Sequence, residues 1–379
     1  MAAAGSLEPL GPEVLRTAVS LDAVESLAEQ VLPSDVRDFV AGGSGAEATL
    51  SANRAALDRI SVVPNVLRDV SGCTAATTLL GDSVSMPVAV APAAYQRLVH
   101  PEGELAAARA AKAHGVPFTV STLSSYPVEA VAATGAAVWF QLYWLRDRRK
   151  SFELVKRAED AGCTALMLTV DVPWMGRRPR DVRNGFALPP GVEAAHLRSG
   201  TPSRSHDASS GGSAVAAHTA SVFEPSLTWA DVEDLRARTR LPLILKGILA
   251  PEDAARAVDC GADAVVVSNH GGRQLDGAIP SVDALEDVSV AVAGRCRVLL
   301  DSGIRSGIDV LRALALGADG VLVGRPVLWG LAAAGEAGAG HVLGILAAEL
   351  RDALGLSGCD GVAAARRIRT VRSTTWTDR

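Results

Sequence analysis

Ala264-Val265-Val266-Val267-Ser268-Asn269-His270-Gly271-Gly272-Arg273-Gln274-Leu275-Asp276 is the stretch whose reading decides the fold. Its first four residues are apolar and largely β-branched, too few for a helix, and predict a short buried strand. The strand ends by releasing a histidine, two glycines and an arginine, the form of a βα loop that carries chemistry. His270 offers a proton acceptor near neutral pH. Arg273 offers a planar fork able to grip a carboxylate. Gly271 and Gly272 allow a sharp turn and a close approach of backbone to ligand. The same residues in isolation would suit an ordinary solvated turn, so the decision rests on whether such units recur.

They recur after Leu80. Apolar runs at Pro87–Ala91, Val116–Val120, Val138–Leu142, Ala165–Val170, Pro242–Leu245, Ala264–Val267, Arg297–Leu300 and Gly320–Val323 alternate with helical segments such as Gly103–Ala113, Ser151–Ala161, Pro251–Cys260 and Gly307–Leu316. Strands alternating with helices predict a parallel sheet. Eight units in about 250 residues predict an α/β fold of the (β/α)8 TIM barrel type, over residues 81–367. The competing open doubly wound sheet lacks its G-x-G-x-x-G after the first strand. Residues 1–80 predict an N-terminal helical cap. One helix starts at Leu21; another starts at Pro33-Ser34-Asp35, carries Val36, Phe39 and Val40 on one face and ends at Gly42-Gly43. Short strands are expected near Val62 and Thr77, and residues 368–379 are expected to be a tail. Between Arg183 and Thr228 the rhythm stops. Residues 190–222, polar and weakly periodic around Arg198–Ser213, predict a flexible loop over the barrel mouth, although a plain surface insertion would read the same.

Bulk properties exclude several classes. The 379 residues are 48% hydrophobic and carry a net charge of −5, without the basic stripe that nucleic acid requires. Five scattered cysteines have no metal-type spacing, and three lie in apolar segments, which fits a reducing, cytoplasmic setting. No basic patch followed by an apolar run opens the chain, so a signal peptide is not expected. The longest apolar stretch, Leu311 to Ala334, is broken by Asp319 and Arg325, so no membrane span is expected.

In such a barrel the active site lies at the C-terminal ends of the strands. The runs end in Ala91-Pro92-Ala93-Ala94-Tyr95-Gln96, Ser121-Thr122-Leu123-Ser124-Ser125, Gln141-Leu142-Tyr143, Thr169-Val170-Asp171 with Gly176-Arg177-Arg178 beyond, Lys246-Gly247, the opening motif, Asp301-Ser302-Gly303-Ile304-Arg305 and Gly324-Arg325-Pro326. Polar groups therefore gather at one rim. Lys246 inside a barrel strand is a Schiff-base nucleophile, a fixed charge facing an anion, or half of a structural ion pair. Gly303, Arg305, Gly324 and Arg325 end strands seven and eight, where this fold commonly holds a phosphate.

These residues together resemble the FMN-dependent 2-hydroxy acid oxidase family, from about Leu21 to Arg367. The most specific parts are Ser268–Asp276, Thr169–Asn184, His100-Pro101-Glu102-Gly103-Glu104 and Asp301–Arg305. Within that family the chain looks most like the 4-hydroxymandelate oxidases, on Asp38–Gly45, Ala91–Gln96 and Val170–Arg178. The resemblance implies that FMN is the cofactor and that an aromatic (S)-2-hydroxy acid is oxidised to the 2-oxo acid, with O2 reduced to H2O2. The expected substrate is (S)-4-hydroxymandelate, on the route to 4-hydroxyphenylglycine and glycopeptide antibiotics. It implies His270 as base, Asp171 as partner of its imidazolium, and Arg273 and Arg178 as the carboxylate clamp. Tyr143 would bond the reacting group, and Tyr126 would touch the substrate. Ala91, Pro92, Ala93, Ala94, Ser124, Gln141, Thr169, Lys246 and Ser268 would face the flavin and ribityl groups. Asp301, Gly303, Arg305, Gly324 and Arg325 would hold ribityl and phosphate. A homotetramer or larger assembly is implied as well.

The chain departs from the family pattern in three places. Phe39 replaces a frequent tyrosine, which makes that wall more apolar and suits an aromatic substrate. Ala93 replaces a threonine and removes one possible flavin contact. Ser302 replaces the middle glycine of Asp-Gly-Gly, at a cost in loop freedom. The alternatives are a mandelate or lactate oxidase or dehydrogenase of the same family, an FMN barrel isomerase of the type 2 isopentenyl diphosphate kind, and a flavin-binding protein without catalysis. The isomerase has no need of the His270, Arg273, Arg178 and Tyr143 set.

Overall fold

The eight runs become strands because most are apolar on both faces, one toward surrounding helices and one toward the lumen of a closed sheet. A computed structural model describes residues 11–198, 204–206 and 213–373. The barrel strands are β1 (Val88–Val90), β2 (Phe118–Ser121), β3 (Val138–Leu142), β4 (Ala165–Thr169), β5 (Leu243–Ile248), β6 (Ala264–Val267), β7 (Arg297–Leu300) and β8 (Gly320–Val323). Each pairs in parallel with the next, and β8 closes on β1 through Val321–Val88, Leu322–Ala89 and Val323–Val90. This is the expected (β/α)8 barrel.

The lumen explains how the site is placed. Ala89, Trp139, Ala165, Met167, Ile244, Ala264, Val266, Leu299 and Leu322 fill it as one buried cluster, together with Leu79 and Val84 of the hairpin Thr77–Leu79/Asp82–Val84. Side chains alternate along a strand, so the next inward positions fall two residues on. Gln141 follows Trp139, Thr169 follows Met167, Lys246 follows Ile244, Ser268 follows Val266 and Asp301 follows Leu299. The apolar lumen thus ends in a polar layer at the C-terminal rim. β5 runs beyond its expected end because its register against β6 shifts between Lys246 and Ile248. Gly247, at φ 110, makes that bulge possible; a Cβ there would lie 2.5 Å from the Cβ of Asp171.

The cap is joined to the barrel at both ends. Its helices Leu21–Val31 and Ser34–Ala41 lie where the sequence placed them, and a further helix, Ala48–Asp58, follows. Ile60–Val62 pairs antiparallel with Thr370–Arg372, so part of the expected tail is a strand; residues 374–379 lie outside the described residues. The carboxylate of Asp276 accepts the N–H groups of Ala46 and Thr49 at 2.7 and 2.9 Å, tying the β6 loop to the start of helix Ala48–Asp58. Helix Arg325–Leu356 has the length and composition to cross a membrane. It breaks at Ala334 and Gly335 and packs against helices Leu21–Val31 and Gly103–Ala113, with half of its most apolar window buried.

Part of the expected flexible loop over residues 190–222 is helical. Ala214–Val222 is a helix whose Ser213 side chain caps Ala216, and its Ala214, Val215 and Thr219 are buried. Buried His196 accepts the Val128 N–H at 2.9 Å. The polar residues around these anchors obscured the helical spacing. Residues 199–203 and 207–212 lie outside the described residues.

Candidate active site

His270 stands just past β6 with a left-handed backbone, φ 59, unusual for a residue with a side chain. Its N–H donates to Ser268 Oγ at 3.0 Å. Its Nδ1 lies 3.1 and 3.2 Å from the two carboxylate oxygens of Asp171, beyond β4. A carboxylate only accepts, so Nδ1 carries the hydrogen and Nε2 is left as the base. Nε2 lies 3.4 Å from the hydroxyl of Tyr143. Burial lowers the His270 pKa and outweighs the opposing pull of Asp171, so the resting imidazole is neutral. Burial opposes the Asp171 charge, but His270 and Lys246 outweigh it and hold that carboxyl below its usual value. Burial, then the Asp171 charge, pushes the Tyr143 phenol up to about 12, so it stays a donor.

His270 faces a cavity of about 1220 Å³, mouth included. Arg178, Lys246, Arg273, Arg305 and Arg325 line it, and Asp301 is the single acid among the described lining residues. Lys246 is buried and bonded to Asp301 Oδ2 at 3.0 Å and Ser268 Oγ at 2.9 Å. Burial disfavours its charge, but Asp301 and Asp171 more than compensate, so its pKa is raised. A Schiff-base role, which needs a depressed pKa, does not fit. Arg273 donates to the carbonyls of Phe39, Val40 and Gly42, and Arg325 to those of Val40, Gly42 and Gly271. Both therefore satisfy the C-terminal carbonyls of helix Ser34–Ala41. Burial, then Arg178 and Arg325, puts Arg273 well below its ordinary pKa; burial, then Arg305 and Arg178, pushes Arg325 down to about 9. Arg178 is 7% exposed, and among the described residues its nearest carboxylate is Asp181 at 3.8 Å and its Nε has no partner.

An orphaned buried guanidinium N–H and a crowd of cations facing one acid fit anionic ligands. A phosphate and a carboxylate would satisfy them. FMN and a 2-hydroxy acid carry those two groups, so the residues present fit the cofactor.

Most expected residues converge on this cavity. His270, Tyr143, Phe39, Arg178, Arg273, Lys246, Asp301, Gly303, Arg305, Gly324, Arg325 and the run Ala91–Ala94 line it. Gln141, Thr169 and Ser268 lie just behind: Gln141 bonds Thr169 at 3.1 Å and Ser121 at 3.1 Å. Two expectations are corrected. Ser124 is buried off the cavity, its Oγ donating to the Tyr126 carbonyl at 2.8 Å; Ser121 supplies the lining hydroxyl from β2. Tyr126 does not line the cavity either, because Glu104 pins the Ser125 N–H at 2.8 Å and the Tyr126 hydroxyl is spent on Pro101. The sequence reading missed Val40, Leu123, Met175 and Val215 on the walls. Ser121 was recoverable from strand alternation with Thr119; Val215 had no signal. Phe39 stacks on Phe186 at 4.4 Å, with the guanidiniums of Arg273 and Arg178 at 5.5 and 5.9 Å from its ring centre.

The family model described as FMN-dependent dehydrogenase matches residues 28–371. The chain is 59% identical to the 4-hydroxymandelate oxidase of Amycolatopsis orientalis over 354 residues, 93% of this chain and 98% of that protein. It is 48% identical to the L-lactate oxidase of Nostoc sp. over 346 residues, 90% and 94% of the two chains. The crystal structure of a mandelate oxidase with (S)-4-hydroxymandelic acid superposes with a TM-score of 0.92 at 58% identity, covering 94% of this chain and all of that one.

Proposed function

This chain belongs to the FMN-dependent dehydrogenase family, and from that premise we propose that it oxidises an aromatic (S)-2-hydroxy acid to its 2-oxo acid, passing the electrons to O2 to give H2O2. The substrate we assign is (S)-4-hydroxymandelate, giving 4-hydroxyphenylglyoxylate for 4-hydroxyphenylglycine and glycopeptide antibiotic synthesis. The observation that carries the reading is the His270–Asp171 pair together with the Nε of buried Arg178, which has no partner among the described residues.

FMN, when bound, supplies the two-electron acceptor. The remaining roles fall to the chain. Arg178 and Arg273 hold the substrate carboxylate, and their cost of burial is relieved by that charge. Nε2 of His270 takes the proton of the 2-hydroxyl, and Asp171 stabilises the imidazolium that results. The Tyr143 hydroxyl orients the reacting group. Lys246 places a fixed positive charge where negative charge develops. Phe39, stacked on Phe186, gives an apolar wall that favours an aryl group over the methyl of lactate.

Anaerobic mixing of the yellow protein with (S)-4-hydroxymandelate, (S)-mandelate, (S)-lactate and glycolate tests the reading. The expected result is fast flavin bleaching by the two aryl acids, then peroxide on admitting air. Absence of bleaching by every 2-hydroxy acid would overturn it. Bleaching by lactate alone would transfer the substrate to the lactate oxidases.

A further inference from the structure

Ser302 occupies a backbone position that suits glycine, with φ +77. It is also the link that closes a ring of contacts. Its Oγ donates to Asp301 Oδ1 at 2.7 Å and accepts the Gly271 N–H at 2.9 Å. Asp301 turns its other oxygen, Oδ2, to Lys246 at 3.0 Å. Lys246 donates to Ser268 Oγ at 2.9 Å, and that same oxygen accepts the His270 N–H at 3.0 Å. His270 leads directly into Gly271, and the ring returns to Ser302. It ties strand β5, which carries the cation, to the loops after β6 and β7, which carry the base and the acid.

The bond to Oδ1 has an electrostatic consequence. While Ser302 holds that oxygen, Asp301 cannot turn both oxygens to the ammonium, and part of the Lys246 charge stays available to the cavity. We propose that Ser302 is a positioning residue that sets the positive field of Lys246 toward the flavin ring by holding Asp301 to a one-oxygen pairing. The inference rests on the reading of Lys246 as the cation facing that ring. It accounts for a side chain kept in a left-handed loop, where a spectator would gain from being glycine.

Sulfite adds reversibly to oxidised flavin and leaves negative charge on the ring, so its dissociation constant reads the local field. The test uses FMN-loaded Ser302→Gly and Ser302→Ala beside the parent, with Lys246→Met as reference. Glycine relieves the backbone and should keep or raise the unfolding temperature, so Ser302→Gly carries the test even if Ser302→Ala folds poorly. Both serine variants should bind sulfite about tenfold more weakly, equivalent to a two-electron potential about 30 mV lower. Sulfite constants within twofold of the parent in Ser302→Gly would overturn the proposal. So would loss of FMN from a folded Ser302→Gly protein, which would put Ser302 in the cofactor's seat instead. If Lys246→Met weakens sulfite while Ser302→Gly does not, the inference alone falls. If neither does, the reading of Lys246 falls with it.

Discussion

Asp171→Asn isolates the charge that supports the base. The substitution keeps the shape of the side chain and removes one negative charge 3.1 to 3.2 Å from His270 Nδ1. At an effective dielectric of about 20, opposite unit charges 3–4 Å apart attract by roughly 4–5 kcal/mol. The asparagine oxygen can still accept the Nδ1–H, recovering about 1 kcal/mol. The net loss of about 3–4 kcal/mol applies only once His270 carries the proton, so it raises the barrier and leaves substrate binding nearly untouched. Flavin reduction should slow about 10²–10³-fold. Asp171 does not line the cavity, so FMN content and substrate dissociation constant should stay within a few-fold of the parent. Anaerobic stopped-flow bleaching with saturating (S)-mandelate measures the rate. A rate within tenfold of the parent, with FMN bound, would refute the role given to this pair.

Three further outcomes follow from the same geometry. His270 must be neutral to act, and burial lowers its pKa, so kcat/KM should fall as pH drops through a midpoint below the ordinary 6.5; a midpoint above 7 would contradict a buried neutral base. Arg178→Met should raise KM or the substrate dissociation constant roughly 10- to 100-fold through loss of about 1.5–3 kcal/mol of charged hydrogen bonding, with FMN retained; unchanged substrate binding would remove Arg178 from the clamp. Phe39→Tyr adds a hydroxyl near Arg178 and Arg273 and should lower the preference for (S)-mandelate over (S)-lactate about tenfold in kcat/KM; an unchanged ratio would take Phe39 off the substrate wall.

The barrel was legible because short β-branched runs between helical segments have few other solutions. Ala264–Val267, Arg297–Leu300 and Gly320–Val323 form strands at their expected bounds. Lys246 and Asp301 were legible for a related reason, since polar residues ending apolar strands must face either the rim or a partner. Less legible was what depends on how loops leave the strands. Ser124 and Ser121 are three residues apart and chemically identical, and only the alternation from Thr119 separates them. Tyr126 turned from the cavity because a buried carboxylate, Glu104, accepts the N–H groups of Gln96 and Ser125 and fixes both loops. The helix Ala214–Val222 sits between polar stretches whose composition reads as loop. Nothing local in the sequence could have shown that Val215 reaches the cavity, because that contact depends on tertiary packing.

The arginines that make the site useful also make it costly without ligands. Arg273 and Arg325 bond only to backbone carbonyls among the described residues, and both are half-buried beside other cations. Carbonyl dipoles fix their orientation but do not offset their loss of water or the neighbouring cations, and these two causes lower their pKa values. The same carbonyls belong to helix Ser34–Ala41, so the docking of the cap onto the barrel runs through these guanidiniums. Phosphate and carboxylate groups would restore the missing negative charge and tighten that joint at once. Cofactor and substrate binding should therefore stabilise the cap against local opening, in proportion to the occupancy of each anion. Lys246 differs because Asp301 already answers its charge, so its field is set within the protein before any ligand arrives. The site thus combines two electrostatic designs. The charges at the cap await ligand anions, and the one inside the barrel is preorganised.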